Sequence, residues 1–356
     1  MNGTPDARDG LLPEMSALQH EHAPRPLPLF LELLREVSAS DPALARDALT
    51  GLRAYEDAKR RERAAPKPEI ARVAGVVLRD HGGEGPPALL IPSLINPPRI
   101  LDLDPDVSLA DAIATMGRRS LLLDWGNASE RPDLSVAGHI EELLLPLLEQ
   151  IGEPAALIGY CLGGTMAIAT ANVARCERVA TLAAPWHFNH YPEGSRVALQ
   201  DMWAHSKGAA ESLGALPMEV LQAAFWSLDP ARTVSKFARF GRLDPASDQA
   251  RRFVELEDWA NEGEALPCPA AAELIEDMFG RDLPGRGEWV VRGKAVGAEP
   301  DTPMLHILAL HDRIAPAATA PPGPSVEIPA GHVGMVVGSA HAELHQRLKV
   351  FLTPCR

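Results

Sequence analysis

An α/β protein with a mainly parallel central sheet is predicted, and three observations predict it. Short apolar runs recur at 73–78, 88–94, 120–124, 155–158, 179–184, 304–310 and Ser325–Ile328. Segments with helical spacing lie between several of these runs, at 108–116, 135–151 and 165–174, which is the strand, helix, strand rhythm of parallel pairing. The chain has 356 residues, 46% of them hydrophobic, enough for one large core with an insertion.

Taken in order, residues 1–26 mix Gly, Pro, Asp and His without period and are expected to lack fixed structure. Apolar positions then recur at helical spacing, first Phe30, Leu33, Leu34 and Val37, then Leu44, Ala48, Leu52 and Tyr55. Ser40 or Asp41 before Pro42 is the start signal of the second of two amphipathic helices. A charged link at 59–63, followed by Pro66 and Pro68, closes this 27–69 segment. The core is expected over 70–185 and 301–356. Between them, at 186–300, the rhythm gives way to helical pieces carrying Trp203, Phe225, Trp226, Phe237, Phe240 and Trp259, broken by Pro217, Pro230, Pro245 and Pro267. That stretch reads as a cap inserted into the core. The apolar faces of the two N-terminal helices are expected to pack on the core; the alternative is that they, or the aromatic cap, contact a partner subunit or a second copy.

The formal net charge of -14 argues against a nucleic-acid or anionic-membrane surface. The longest apolar runs, such as 143–148, are too short to span a bilayer, and no charged-then-apolar leader opens the sequence, so a cytoplasmic protein is expected. Cys161, Cys176, Cys268 and Cys355 are scattered without C-x-x-C pairs or ligand-spaced His, so neither a disulfide framework nor a metal site is expected. No phosphate loop or G-x-G-x-x-G follows a strand, so no bound cofactor is expected either.

The stretch that carries chemistry is Gly159-Tyr160-Cys161-Leu162-Gly163-Gly164, fed by an apolar run and followed by an Ala-rich helix. Strand, glycine-flanked turn and helix form the nucleophile elbow of the α/β-hydrolase fold, with cysteine in the serine position. The positive end of the following helix favours a thiolate at the apex. In this fold the triad runs nucleophile, acid, histidine, the last two on loops after late strands. The run 306–310 leads into His311-Asp312-Arg313, so Asp312 is the candidate acid; His332, after the next short strand, is the candidate base. His311, Asp124, His187 and His190 are ranked as lining or structural groups, and His306 as a packed core residue. The backbone N–H groups of Leu162, after the nucleophile, and of Ile95, in the loop Ile91-Pro92-Ser93-Leu94-Ile95-Asn96-Pro97-Pro98, are the candidate oxyanion donors.

These residues carry a family resemblance. The strand and loop Ile91 to Asn96 followed by Ile100-Leu101-Asp102-Leu103, the box around Cys161, the segment Asp312-Arg313-Ile314-Ala315-Pro316 and Gly331-His332-Val333-Gly334 resemble, in order, segments of the polyhydroxyalkanoate synthases. The likeness is greatest to the short class that works with a separate partner subunit, and it covers residue 70 to the C-terminus. The sequence departs from the family in having Arg313 after the Asp, where His is usual, and His187 where Asp is usual. The resemblance implies a 3-hydroxyacyl coenzyme A thioester as substrate rather than cofactor. It further implies transfer to Cys161, then to a hydroxyl acceptor, with His332 as base for both steps. The alternative expected from the same triad is a thioesterase, esterase or polymer-degrading hydrolase, in which water takes the acyl group. A homodimer or a partner subunit fits either.

Overall fold

The computed structural model describes residues 24–131 and 133–353; most of the 1–26 segment and Cys355 lie outside the described residues. The chain divides into two compact units, one of residues up to 60 together with 231–254, the other of 61–230 and 255 onward.

In the first unit, α1 (Leu27–Ser40) and α2 (Pro42–Glu56) follow one another with Asp41 between them. The Asp41 carboxylate accepts the Leu44 N–H at 2.9 Å and so caps α2, while Pro42 at the first helical position has no N–H to leave unsatisfied. Their apolar stripes meet residues 231–254. Phe237 lies edge-on to Phe30 at 4.8 Å and to Tyr55 at 5.8 Å, and Phe253 stacks on Phe240 at 4.3 Å. Contact here is as close as backbone allows: a Cβ on Gly51 would sit 1.8 Å from the Phe237 carbonyl oxygen. Part of the stretch assigned above to the cap thus forms one body with the N-terminal helices.

The second unit holds an eight-stranded sheet in the order β1-β2-β4-β3-β5-β6-β11-β12. β1 (Glu69–Val73) and β2 (Val76–Asp80) form an antiparallel hairpin, and β2 runs antiparallel to β4 (Arg119–Asp124). β3 (Pro87–Ile91), β4, β5 (Ala156–Tyr160), β6 (Arg178–Leu182), β11 (Met304–Ala309) and β12 (Ser325–Ile328) are parallel. The single run expected at 73–78 is therefore two strands. Ala74, at φ 50°, and Gly75 make the reversal that the apolar pattern conceals. The run at 88–94 ends at Ile91, because Pro92 has no N–H to give to a ladder.

All five positions of β3 and of β5 are buried, the pattern of central parallel strands covered on both faces. Each such Leu or Ile contributes about 1.5–3 kcal/mol whichever way it points, so these strands read as unbroken apolar runs. α3 (Leu109–Thr115), capped by Ser108, returns the chain from β3 to β4. A longer helix of three parts, α4 (Val136–Gly138), a π-helical segment (His139–Leu144) and α5 (Leu145–Ile151), returns it from β4 to β5. β4 and β5 lie on opposite sides of β3, so the winding reverses there, and the carboxyl ends of β3 and β5 border the crevice that such a reversal opens. α6 (Leu162–Val173) follows β5 and is buried throughout 162–170, which its Gly, Ala and Thr residues permit by keeping it thin.

Beyond β6, α7 (Glu193–Leu213), the ribbon of β7 (Ala215–Leu216) with β8 (Leu266–Pro267), α8 (Met218–Ser227), α9 (Pro230–Phe240), α10 (Asp248–Asn261) and α11 (Cys268–Ala272) replace the alternating rhythm. α11 runs on into a π-helical segment (Glu273–Gly280), where carboxylates hold two indoles: Trp203 Nε1 donates to Glu276 and Trp289 Nε1 to Glu273, both at 2.6 Å. A second ribbon pairs β9 (Val290–Val291) with β10 (Lys294–Ala295). α12 (Gly334–Val337) and α13 (His341–Leu352) close the chain. Among the described residues no helix is long and apolar enough to cross a membrane.

Candidate active site

Cys161 stands between the last residue of β5 and the first of α6, with φ 55° and ψ -128°. A side chain other than Gly rarely occupies that region, at a cost of about 1–3 kcal/mol. Two hydrogen bonds hold it there: the Cys161 N–H donates to the Leu182 carbonyl at 2.9 Å and the Gly164 N–H to the Cys161 carbonyl at 2.8 Å. The flanking glycines are needed for close approach. A Cβ on Gly159 would lie 2.3 Å from the Gly163 oxygen, and one on Gly163 would lie 2.1 Å from the Ile91 oxygen. Thr165 fastens the first turn of α6 by donating its hydroxyl to the Pro185 carbonyl at 2.6 Å.

Asp312, three residues past β11, has a side chain with no exposure. Its Oδ1 accepts the N–H groups of Ile314 at 2.8 Å and Ala315 at 2.9 Å, and its Oδ2 lies 2.6 Å from His332 Nδ1. A carboxylate bound by two backbone donors cannot turn away, so it fixes the ring beside it and directs the other ring nitrogen outward. Cys161 is near enough for its charge to act on that ring. Burial opposes the imidazolium form of His332 most strongly. The charges of Cys161 and Asp312 and the hydrogen bond to Asp312 outweigh burial, so the histidine is held well above its ordinary value. The structure thus places Cys161 beside the hydrogen-bonded pair of His332 and Asp312, at the carboxyl edge of the sheet.

Leu162 opens α6, and its N–H is therefore one of the four that no carbonyl of the helix can satisfy. The loop after β3 passes against the start of α6, as the Gly163 approach to Ile91 and Pro92 requires. Within that loop Ile95 is buried, its carbonyl accepts the Glu264 N–H at 2.9 Å, and Trp125 Nε1 donates to the Pro92 carbonyl at 3.1 Å.

The competing residues are elsewhere engaged. Asp124 pairs with Arg79 at 3.0 Å, and His187 and His190 stack on each other at 5.2 Å. His311 is exposed, and Arg313 pairs with Asp229. His306 is fully buried against Thr181, as expected of a core residue.

Two tyrosines join the site without having been singled out in the sequence. The Tyr160 ring lies 4.9 Å from the His332 ring at 35°, and its hydroxyl reaches the His332 carbonyl at 3.4 Å. The Tyr191 hydroxyl donates to the Ile314 carbonyl at 2.9 Å and so braces the loop that carries Asp312. Tyr160 had a signal, its place next to the nucleophile inside the elbow; Tyr191 had none.

No protein-family model matches the chain. Curated relatives do. A poly(3-hydroxyalkanoate) polymerase subunit PhaC from Haloarcula marismortui is 26% identical over 295 residues, which are 77% of this chain and 62% of that protein. The subunit of the same name from Haloferax mediterranei is 26% identical over 72% of this chain and 56% of its own length, and that from Allochromatium vinosum is 25% identical over 72% and 78%. The chain thus spans only 62% and 56% of the length of the first two of these relatives. Among solved structures, a hydrolase from Pseudomonas aeruginosa PA01 superimposes with a TM-score of 0.53 at 18% identity, covering 82% of this chain and all of that one. The chain has the α/β-hydrolase fold, and the resemblance to polyhydroxyalkanoate synthases stands in its curated relatives.

Proposed function

We propose that this chain is an acyltransferase of the polyhydroxyalkanoate synthase type, acting from the cytoplasm on a 3-hydroxyacyl coenzyme A thioester through Cys161, His332 and Asp312. The observation that carries the reading is a cysteine at the strained apex of the elbow, beside a buried histidine that is itself bound to a buried carboxylate.

The chemistry follows from the residues. Cys161 Sγ, its proton already held by His332, attacks the acyl carbon, and the oxyanion that forms is met by the N–H groups of Leu162 and Ile95. The C–S bond to coenzyme A breaks, and the departing sulfur takes the proton from His332. The acyl group remains a thioester, so little free energy is lost in the exchange. His332 then accepts the proton of an incoming hydroxyl, whose oxygen attacks the acyl carbon and restores the Cys161 thiol. Asp312 holds the Nδ1–H tautomer and stabilises the imidazolium in both halves. A serine in place of Cys161 would form an ordinary ester at the midpoint and give up that activation. No bound cofactor enters the scheme. Because the relatives are named as subunits, the proposal includes a second copy or a separate subunit as partner, to be read from the mass of the active species.

The test is incubation of wild-type and Cys161→Ala chains with 3-hydroxybutyryl-coenzyme A, following both thiol release and the fate of the acyl group. The proposal expects Cys161-dependent release with oligomer or polymer as product. Cys161-dependent release with free hydroxy acid alone would replace it by the hydrolase reading, and release that persists in Cys161→Ala would remove the cysteine from the mechanism.

A further inference from the structure

A second histidine meets two carboxylates in this unit, and its geometry is unlike that of the first. His81 follows β2, Asp102 closes the 3-10 turn Pro98–Asp102 after β3, and Asp111 lies in the first turn of α3. His81 Nδ1 lies 3.5 Å from Asp111 Oδ1 and 3.7 Å from Asp102 Oδ2, and the donor atoms of the three residues all fall within 4.8 Å of one another. The His81 side chain is only 2% exposed, and its Nδ1 is buried without a hydrogen-bond partner. Leaving such a nitrogen unsatisfied costs about 1–3 kcal/mol, which a protein rarely accepts without return.

We propose that His81, Asp102 and Asp111 form a binding site for a zinc-class divalent cation. One imidazole nitrogen and two carboxylate oxygens are donors such an ion accepts at about 2.0–2.2 Å, which in a tetrahedron sets the donors about 3.3–3.6 Å apart. The two separations from His81 Nδ1 are at or just beyond that spacing, too long for hydrogen bonds of normal strength and right for atoms with an ion between them. Magnesium, which favours oxygen donors alone and close octahedral packing, fits less well. Two carboxylates and a neutral imidazole neutralise a dication. Asp102 is oriented for the task, since its other oxygen accepts the Ser108 hydroxyl at 2.6 Å. Lys67, whose Nζ lies 3.6 Å from Asp111 and whose side chain is 42% exposed, gives up only a surface ion pair when the cation enters. The ion would tie the hairpin of β1 and β2 to both ends of the 102–111 segment. No spacing rule finds the trio in sequence, because 81, 102 and 111 meet only through the fold.

The experiment uses the untagged full chain and zinc itself. Wild type, His81→Gln and Asp111→Asn are dialysed against zinc, then against metal-free buffer, and their metal is counted. Wild type is expected to retain about one equivalent more than either variant, and its thermal midpoint to rise by about 2 °C or more with excess zinc where theirs does not. Asp111 is 43% exposed, so its substitution tests the site without threatening the fold. Cobalt(II) separates this site from the cysteine sites. An N/O site gives visible d–d bands without the intense near-ultraviolet band of a cobalt thiolate, and those bands should vanish in His81→Gln. Equal zinc content in all three chains, or a cobalt spectrum of thiolate character that survives His81→Gln, would overturn the proposal.

Discussion

Two buried histidines within this sheet system have opposite fates. His306, on β11, and His332, after β12, are both nearly inaccessible, with exposures of 0% and 8%. His306 has a hydroxyl as partner, Thr181 Oγ1 at 2.8 Å, and burial drives it down to about 4, so it stays neutral in the core. His332 has the carboxylate of Asp312 at 2.6 Å and the sulfur of Cys161, and it is driven up. Burial is the largest single effect at both. The partner decides the outcome: a neutral hydroxyl cannot offset the desolvation of an imidazolium, whereas an adjacent anion can. Two neighbouring strands therefore lead to one histidine held neutral and one held charged, and their difference is a matter of what stands beside each ring.

Removing the His332 ring should break this contrast most severely. His332→Gln keeps size and hydrogen bonding but cannot cycle a proton, and acyl transfer is expected to fall by about 10⁴-fold or more while the chain stays folded. Turnover within tenfold of wild type would exclude His332 as the base. Asp312→Asn sharpens the comparison by giving His332 a neutral partner like that of His306. A loss of about 10² to 10⁴-fold is expected, with the His332 ring titrating lower by NMR than in wild type. An unmoved titration would mean that the carboxylate is not what raises it. Tyr160→Phe removes only the 3.4 Å contact to the His332 carbonyl, and a fall of no more than about threefold in kcat is expected.

What could be read in sequence followed from where the chemistry resides. Cys161, Asp312 and His332 would act through side chains, and the fold puts them after strands in fixed order, so their positions stood out in one dimension. Ile95 and Leu162 would act through backbone N–H groups that any residue but proline has, and only the elbow gave a position to look at. The hairpin at Ala74-Gly75 was hidden because Val73, at the end of one strand, and Val76, Val77 and Leu78, at the start of the next, read as one apolar run, and the reversal uses an alanine at positive φ. Residues 231–254 were placed with the cap because aromatic content marks burial but not the surface buried against; Phe237 and Phe253 find Phe30 and Tyr55, some two hundred residues away in the chain. Ala155 to Tyr160 needed no such information, since a run of buried apolar residues can occupy only the middle of the sheet.

The smallest expected effect concerns stability, and it falls on the structural histidines. His306 is joined by His139, which is also fully buried and lowered to about 4, first by burial and then by the Arg131 guanidinium 2.6 Å from its Nε2. In the unfolded chain both titrate near 6.5. Between about pH 6.5 and 4 the unfolded state therefore binds more protons than the folded one, and stability declines as pH falls through that window; above 6.5 both rings are neutral in either state and contribute no slope. His306→Gln retains a partner for Thr181 and removes one of the two titrations. Lowering the pH from 6 to 5 should then cost the variant about 1 kcal/mol less than wild type in urea unfolding, a window chosen to lie above most carboxylate titrations. Parallel losses in the two proteins would mean that His306 is protonated in the folded core after all, and that its hydroxyl partner does not set it apart from His332.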